Sequence, residues 1–347
     1  MNPLTLSIFI MSLGLGTTVT FSSSHWLLAR MGLEINTLAI TPLMIKQQHP
    51  RAVEANTKYF LTQAAASALL LFASMTNAWM TGQWSILEME NMTAITLITL
   101  ALALKLGLAP MHFWLPEVLQ GLDLKTGLIL STWQKLAPFI ILIQMAPALN
   151  PNIMISLAII STLIGGWGGL NQTQLRKILA YSSIAHLGWM IIILHYSPNI
   201  AMLNLVLYLV ITSTIFLLFN LTNSTTINSI SMTTTKNPII TILIMMTLLS
   251  LGGLPPLTGF MPKWLILQEL AHQELFLVAT IMAMTTLLSL FFYLRLTYST
   301  TLTMTPNSMN MMSSWLTKKN LKPIIPLLFP LTTMLLPLTP MLYFSLQ

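Results

Sequence analysis

Cysteine is absent from the 347 residues. That excludes disulfides and thiolate metal sites. No Cys/His ligand cluster and no glycine-rich phosphate loop is present either. Charge is nearly as scarce. Asp, Glu, Lys and Arg make up 7% of the chain, against about 25% in a soluble domain. With 55% hydrophobic residues, the composition excludes a soluble globular chain and describes an integral membrane protein. The first residues, MNPLTLSIFIMSLGLG, have no basic lead and run on as a full apolar stretch. A retained helix is expected there, not a cleaved signal or transit peptide.

What is present is a series of apolar runs of about 20 residues, each enough to cross ~30 Å of hydrocarbon. The spans are expected at 3–21, 26–45, 59–79, 92–109, 124–145, 153–170, 175–193, 201–221, 238–254, 274–297 and 323–344. The fourth continues as a half-helix over 112–120 and the ninth over 259–270. The fold expected is an all-α polytopic bundle of about eleven transmembrane helices.

The charges sort by side. With the N-terminus placed inside, the inner loops hold Lys46, Arg51, Lys58, Lys125, Arg176, Lys177, Lys236, Lys318, Lys319 and Lys322, with Arg295 at a helix end. The outer loops hold no Lys or Arg, but do hold Glu88 and Glu90. This is the positive-inside pattern. It accounts for most of the net charge of +7 and leaves no basic patch for nucleic acid.

Four basic residues remain, Arg30, Lys105, Lys135 and Lys263, all inside expected spans, as is Glu34. Each such charge costs ~2.5–3.5 kcal/mol near a helix centre. They are therefore expected to face inward, toward polar partners or water. Lys105 and Lys263 also belong to a repeat. LGGLPPLTGFMPKWLIL at 251–267 follows the stretch around Lys105 by 146 residues. Gly107 falls on Gly253, Pro110 on Pro256, Trp114 on Phe260 and Pro116 on Pro262. Paired Gly/Pro-interrupted apolar segments in two halves of a chain point to a transport site. Helix backbone broken at membrane depth persists only where protein or a water-filled cavity takes up its freed groups.

Two pairings are open to Glu34. Arg30 lies one turn before it on the same face, and Lys105 can meet it across helices. Lys135 sits mid-span in STWQKLAPF with no acid in its own helix. Burial disfavours the charged form of an amine, which suits such a group to proton exchange. The plainer reading is a lysine bonded to carbonyls freed by a break. Lys263 is either a partner of this set or a residue snorkelling to the interface. His112, at the first break, and His186, in AYSSIAHLG, are candidate proton carriers or structural hydrogen bonders. Glu117 and Asp123 read as solvated. Intramembrane ionisable groups on several helices mark ion pathways and proton relays.

The segments HWLLARMGLEINTLAITPLM (25–44), KLGLAPMHFWLPEV (105–118), NQTQLRKILAYSSIAHLGWM (171–190) and LSLGGLPPLTGFMPKW (249–264) resemble the antiporter-like membrane subunits of respiratory complex I and of multisubunit cation/proton antiporters. The resemblance implies two inverted five-helix repeats, over 3–145 and 150–297, each with a broken helix near 107–116 and 252–262. An inner-side loop and C-terminal helix follow at 298–347. It implies Glu34 and Lys105 as a coupling pair, Lys135 as central relay and Lys263 as the link to the exit path or the next subunit. It implies no cofactor in this chain, the complex itself using NADH, FMN, iron–sulfur clusters and ubiquinone. The implied partners are other membrane-arm subunits and phospholipids. The implied place is the mitochondrial inner membrane, N-terminus on the matrix side and C-terminus on the intermembrane-space side.

Two departures stand out. Bacterial relatives carry about three further N-terminal helices, and many relatives have an acid in the loop matching Asn171–Lys177, where this chain has polar and basic residues. Two rival readings are a stand-alone cation/proton antiporter and a structural membrane scaffold. The first is weakened because no carboxylate-rich site for a hard cation is evident.

Overall fold

Why the long helices form follows from composition. Apolar side chains cover them, and all backbone groups are satisfied within each segment, as hydrocarbon requires. The computed structural model describes residues 2–46, 48–233, 238–301 and 324–346. The described residues form helices joined by turns and loops, without a strand, and with two isolated bridges, His25 with Ser85 and Gln174 with Thr226. The expected inner-side charges Lys236, Lys318, Lys319 and Lys322 lie outside the described residues, as does most of the loop expected after residue 301.

The chain forms two compact units. Unit 1 comprises Met1–Ser161 and Leu194–Pro198. Its helices are α1 (Pro3–Ser22), α2 (Trp26–Met44), α3 (Pro50–Thr81), α4 (Met92–Leu106), α5 (Trp114–Gly121), α6 (Leu124–Ser131), α7 (Trp133–Gln144) and the first part of α8 (Pro151–Gly169). Unit 2 comprises Thr162–Ile193 and Asn199–Gln347. It holds the rest of α8, then α9 (Leu175–Leu194), α10 (Pro198–Thr222), α11 (Ile227–Ser231), α12 (Pro238–Gly252), α13 (Phe260–His272), α14 (Phe276–Thr301), α15 (Ile324–Thr333) and α16 (Thr339–Leu346). Seven helices among the described residues are long and apolar enough to cross a bilayer, counting α6 and α7 as one span, and α4, α12 and α15 are shorter apolar helices.

Three spans differ from expectation. α3 is 32 residues long and starts at Pro50. Its first turns carry Arg51, Glu54 and Lys58, so hydropathy alone places its start too late. The fifth span bends at Thr132 (φ −110°, ψ −70°) into α6 and α7. Pro138 removes one amide from the ladder, and the Ser131 and Thr132 hydroxyls both donate to the Leu128 carbonyl, a bond that bends helices. The last span is not continuous. α15 ends at Thr333, a single 3-10 turn covers Leu336–Leu338, and α16 resumes. Pro330, Pro337 and Pro340 recur faster than an unbroken ladder allows.

In unit 1, α1 and α2 approach closely at Gly16 and Gly32. A Cβ built on Gly16 would stand 2.9 Å from the Gly32 carbonyl, and one on Gly32 2.8 Å from the Gly16 carbonyl. Small residues at such a crossing let backbones meet and maximise dispersion contact in lipid.

Candidate functional site

Both predicted breaks are present, and they are built alike. α4 closes on Gly107 at φ +79°. The Gly107 and Leu108 amides both donate to the Ala103 carbonyl, the doubled bonding of a glycine-terminated helix. α12 closes on Gly253, also at φ +79°, with the Gly253 and Leu254 amides donating to the Leu249 carbonyl. Only glycine adopts this left-handed backbone cheaply.

In unit 1 the break forms one wall of a small cavity, about 20 Å³ in volume. Lys105, from the last turn of α4, and Lys135, from the first turn of α7, both line it. Both are buried, at 6% and 3% exposure. The remaining polar lining is Asn36 and Thr37 from α2, Tyr59 and Gln63 from α3, and Gln134 beside Lys135. Gln134 donates through Nε2 to the Asn36 carbonyl at 3.2 Å, tying α7 to α2. Trp114, first residue of α5, donates its indole N–H to the Leu104 carbonyl at 3.0 Å. One of the carbonyls freed by the break is thereby satisfied. The Nζ of Lys105 has no hydrogen-bond partner in the structure.

Glu34 is placed one turn from this cavity rather than in its lining. Its Oε1 accepts from the Nε of Arg30 at 2.7 Å, and both side chains are about one-third exposed, at 32% and 30%. Of the two pairings open to Glu34, the structure holds the local one. Both charges still act on Lys105, the carboxylate attracting its ammonium and the guanidinium repelling it. His112 is buried, and its Nδ1 stands 3.3 Å from the Pro110 carbonyl. Glu117 and Glu54 both bond the Nζ of Lys58, at 2.7 and 2.8 Å, fastening α5 to α3.

In unit 2 a second, smaller cavity of about 10 Å³ is lined by Lys263 and His186, with Thr162, Thr285, Thr286, Ser289 and Tyr293 among the rest. Lys263 donates to the Gly252 carbonyl at 2.9 Å. Its side chain lies over Gly253, where a Cβ would stand 2.9 Å from the Nζ. Lysine at the C-terminal end of a broken helix both satisfies a carbonyl and meets the negative pole of the helix dipole. The His186 ring packs 5.5 Å from the Tyr208 ring.

Sequence reasoning thus named the lysines and Trp114 as a repeat position, but missed Asn36 and Gln63 in the lining and the indole's role as a donor. A signal existed for Gln63, a polar residue within an apolar span among alanines. None pointed to the Trp114 N–H, because an indole in an apolar run reads as packing.

The architecture is that of an antiporter-like polytopic membrane subunit: two broken helices, each with a lysine lining a cavity. A family model described as NADH:quinone oxidoreductase/Mrp antiporter, TM matches residues 23–289, and one described as NADH dehydrogenase subunit 2 C-terminus matches residues 290–343. NADH-ubiquinone oxidoreductase chain 2 of Squalus acanthias is 73% identical over 92% of this chain and 91% of its own length. The protein of the same name from Scyliorhinus canicula is 69% identical over 92% of each. A chain in the solved structure of respiratory complex I from Thermus thermophilus superposes with a TM-score of 0.88 at 26% identity, over 100% of this chain and 81% of that one. The chain belongs to the NADH-ubiquinone oxidoreductase chain 2 family.

Proposed function

We propose that this chain is a core membrane subunit of proton-translocating NADH:ubiquinone oxidoreductase, and that it relays protons between buried lysines while redox chemistry runs in other subunits. The observation that carries this reading is one buried cavity lined by two lysines from different helices, with Glu34 close enough to act on one of them. NADH, FMN, iron–sulfur clusters and ubiquinone belong, on this reading, to the rest of the complex.

Lys105 and Lys135 exchange the proton. Glu34 acts as the switch. Held by Arg30, it leaves Lys105 unpaired; released toward Lys105, it stabilises the ammonium there, since a nearby carboxylate favours the charged form. Lys263 plays the corresponding part in unit 2, with His186 beside it in the cavity lining. His112 supports the first break. One charge moved across a membrane potential changes energy by ~2.3 kcal/mol per 100 mV, so modest shifts in pairing suffice to set direction.

The reading places the chain in the mitochondrial inner membrane, the N-terminus on the matrix side and the C-terminus on the intermembrane-space side, as the asymmetry of Lys and Arg supports. The broken helices anchor two repeats, over 3–145 and 150–297, in inverted orientation, with 298–347 as a further segment. Neighbouring membrane-arm subunits and phospholipids are its partners. The decisive experiment is Lys135→Met in the assembled complex. Loss of proton translocation is expected, and full pumping with normal electron transfer refutes the relay.

A further inference from the structure

Two unsatisfied groups stand in the same unit-1 wall. Lys105 Nζ has no hydrogen-bond partner, and neither has the Nδ2 or the Oδ1 of Asn36. Asn36 is buried at 2% exposure. Each buried polar atom left without a partner costs roughly 1–3 kcal/mol. A native fold keeps such atoms only where something supplies the missing bonds. Gln63, buried at 4% exposure on α3, lines the same cavity with Lys105 and Lys135.

Amides are suited to this place for a chemical reason. A carboxamide both donates and accepts hydrogen bonds, yet neither takes up nor releases a proton at neutral pH. It can orient water between two amines without becoming a trap for the charge. A carboxylate in its stead would hold an ammonium beside it.

We propose that Asn36 and Gln63 are positioning residues that hold bridging water between Lys105 and Lys135, so that the proton passes from one amine to the other through water the amides orient. At about 20 Å³ the cavity has room for one ordered water, and Lys105, Asn36, Gln63 and Lys135 among its lining residues supply polar partners for it. Gln134 fixes the register of this bridge by holding the Asn36 backbone to the helix of Lys135. The assignment rests on the relay reading and adds to it residues with no titration of their own. In the transfer, an N–H bond of the donor lysine's ammonium breaks toward a bridging water as that water gives a proton to the second lysine's neutral amine, so charge and atoms balance.

The test uses the whole complex carrying single substitutions in this chain, with coupled turnover measured per assembled complex in sealed membranes. Gln63→Leu is expected to slow coupled turnover about tenfold, the size of one lost hydrogen bond in a charge-bearing path, and to raise the solvent deuterium isotope effect. Gln63→Asn, which keeps an amide, restores turnover to within about twofold. Asn36 packs against Gly16, so its test is the isosteric Asn36→Asp. That change leaves the α1–α2 crossing filled but traps the proton, and is expected to slow turnover at least as much. Normal turnover and isotope effect per assembled complex in both Gln63→Leu and Asn36→Asp overturn the bridge, whatever the amount assembled. Lys135→Met separates the two claims. If it abolishes pumping while the amide variants pump normally, only the bridge falls; if it pumps normally, the relay falls as well.

Discussion

The two breaks share a backbone and differ in what caps it. In unit 1, Trp114 gives its indole N–H to a carbonyl of α4, and Lys105 is left without a hydrogen bond. In unit 2, Phe260 stands at the matching sequence position and has no N–H to give. There the lysine comes after the break, and Lys263 itself bonds the last carbonyl of α12. One cation is thus relieved of structural duty by a neutral donor, and the other is engaged in it. The difference bears directly on function. A lysine that satisfies a helix end loses a structural bond when it gives up that bond to move or react, whereas an unpaired one does not.

The largest expected effect comes from the shared backbone. Gly107→Ala and Gly253→Ala both force a side chain into the left-handed region, worth about 1–2 kcal/mol. At Gly107 the new Cβ also meets Leu115 at 2.7 Å and Trp114 at 3.3 Å, packed groups whose displacement costs about 1–3 kcal/mol more. At Gly253 it meets the flexible end of Lys263, which swings aside. Gly107→Ala is therefore expected to reduce assembled complex more severely. Gly253→Ala is expected to disturb the Lys263–Gly252 bond at smaller cost, read as faster hydrogen exchange over residues 253–262. Equal losses at both sites would break the proposed asymmetry.

Next in size is a pair of lysine substitutions with opposite signs. Lys263→Met removes a charge-assisted bond to a helix-end carbonyl, about 1.5–3 kcal/mol. Exchange over the second break is expected to rise by roughly tenfold or more. Lys105→Met removes a buried amine that bonds nothing, so exchange over the first break is expected to stay level or slow, even though proton pumping is lost. A rise at both breaks would show that Lys105 also holds structure.

These contrasts explain what was legible in the sequence. The breaks were, because glycine and proline act locally. Gly107 and Gly253, 146 residues apart, end their helices with the same hydrogen bonds. The burial of Lys105 and Lys135 was legible too, since composition made each charge an exception, whereas Lys263 is only half-buried. The capping roles were not. Whether an indole or an ammonium reaches a freed carbonyl depends on how a half-helix folds back, which spacing does not encode. Nor was the choice of Arg30 by Glu34, because the one-turn spacing permits the local pair without excluding Lys105 from across the helices. The bend at Thr132 was hidden behind Pro138, the more visible breaker, six residues later.

A smaller effect is expected from Trp114→Phe, which makes the first break resemble the second. The Leu104 carbonyl loses its indole donor and keeps only the 3.2 Å bond from the Gly107 amide, while the aromatic packing is largely kept, a change of about 1 kcal/mol. Exchange over residues 107–113 is expected to rise by roughly fivefold. The sharper outcome concerns Lys105. With one lone pair of that carbonyl open one residue before it, the unpaired ammonium gains a local acceptor. The double variant Trp114→Phe, Lys105→Met is then expected to exchange faster than Trp114→Phe alone. Additive effects would mean that Lys105 cannot reach the break, and the two lysines would differ by geometry rather than by what caps the helix.

The smallest effect is at the ion network of the first half-helix. Lys58 bonds both Glu117 on α5 and Glu54 on α3, whereas in α13 the side chain of Glu269 accepts only a 3.4 Å bond from Gln273 of its own helix. The first half-helix is therefore tied to a neighbour through an exposed ion network. Exposed pairs contribute little and are screened by salt, so Glu117→Gln is expected to leave assembly unchanged. Its effect belongs to exchange over α5, slightly faster at low ionic strength and indistinguishable from the unsubstituted chain at high salt. If the difference persists at high salt, Glu117 acts through packing against α3, where Gly121 already lies against the Arg51 carbonyl, and the charge network is incidental to how the half-helix is held.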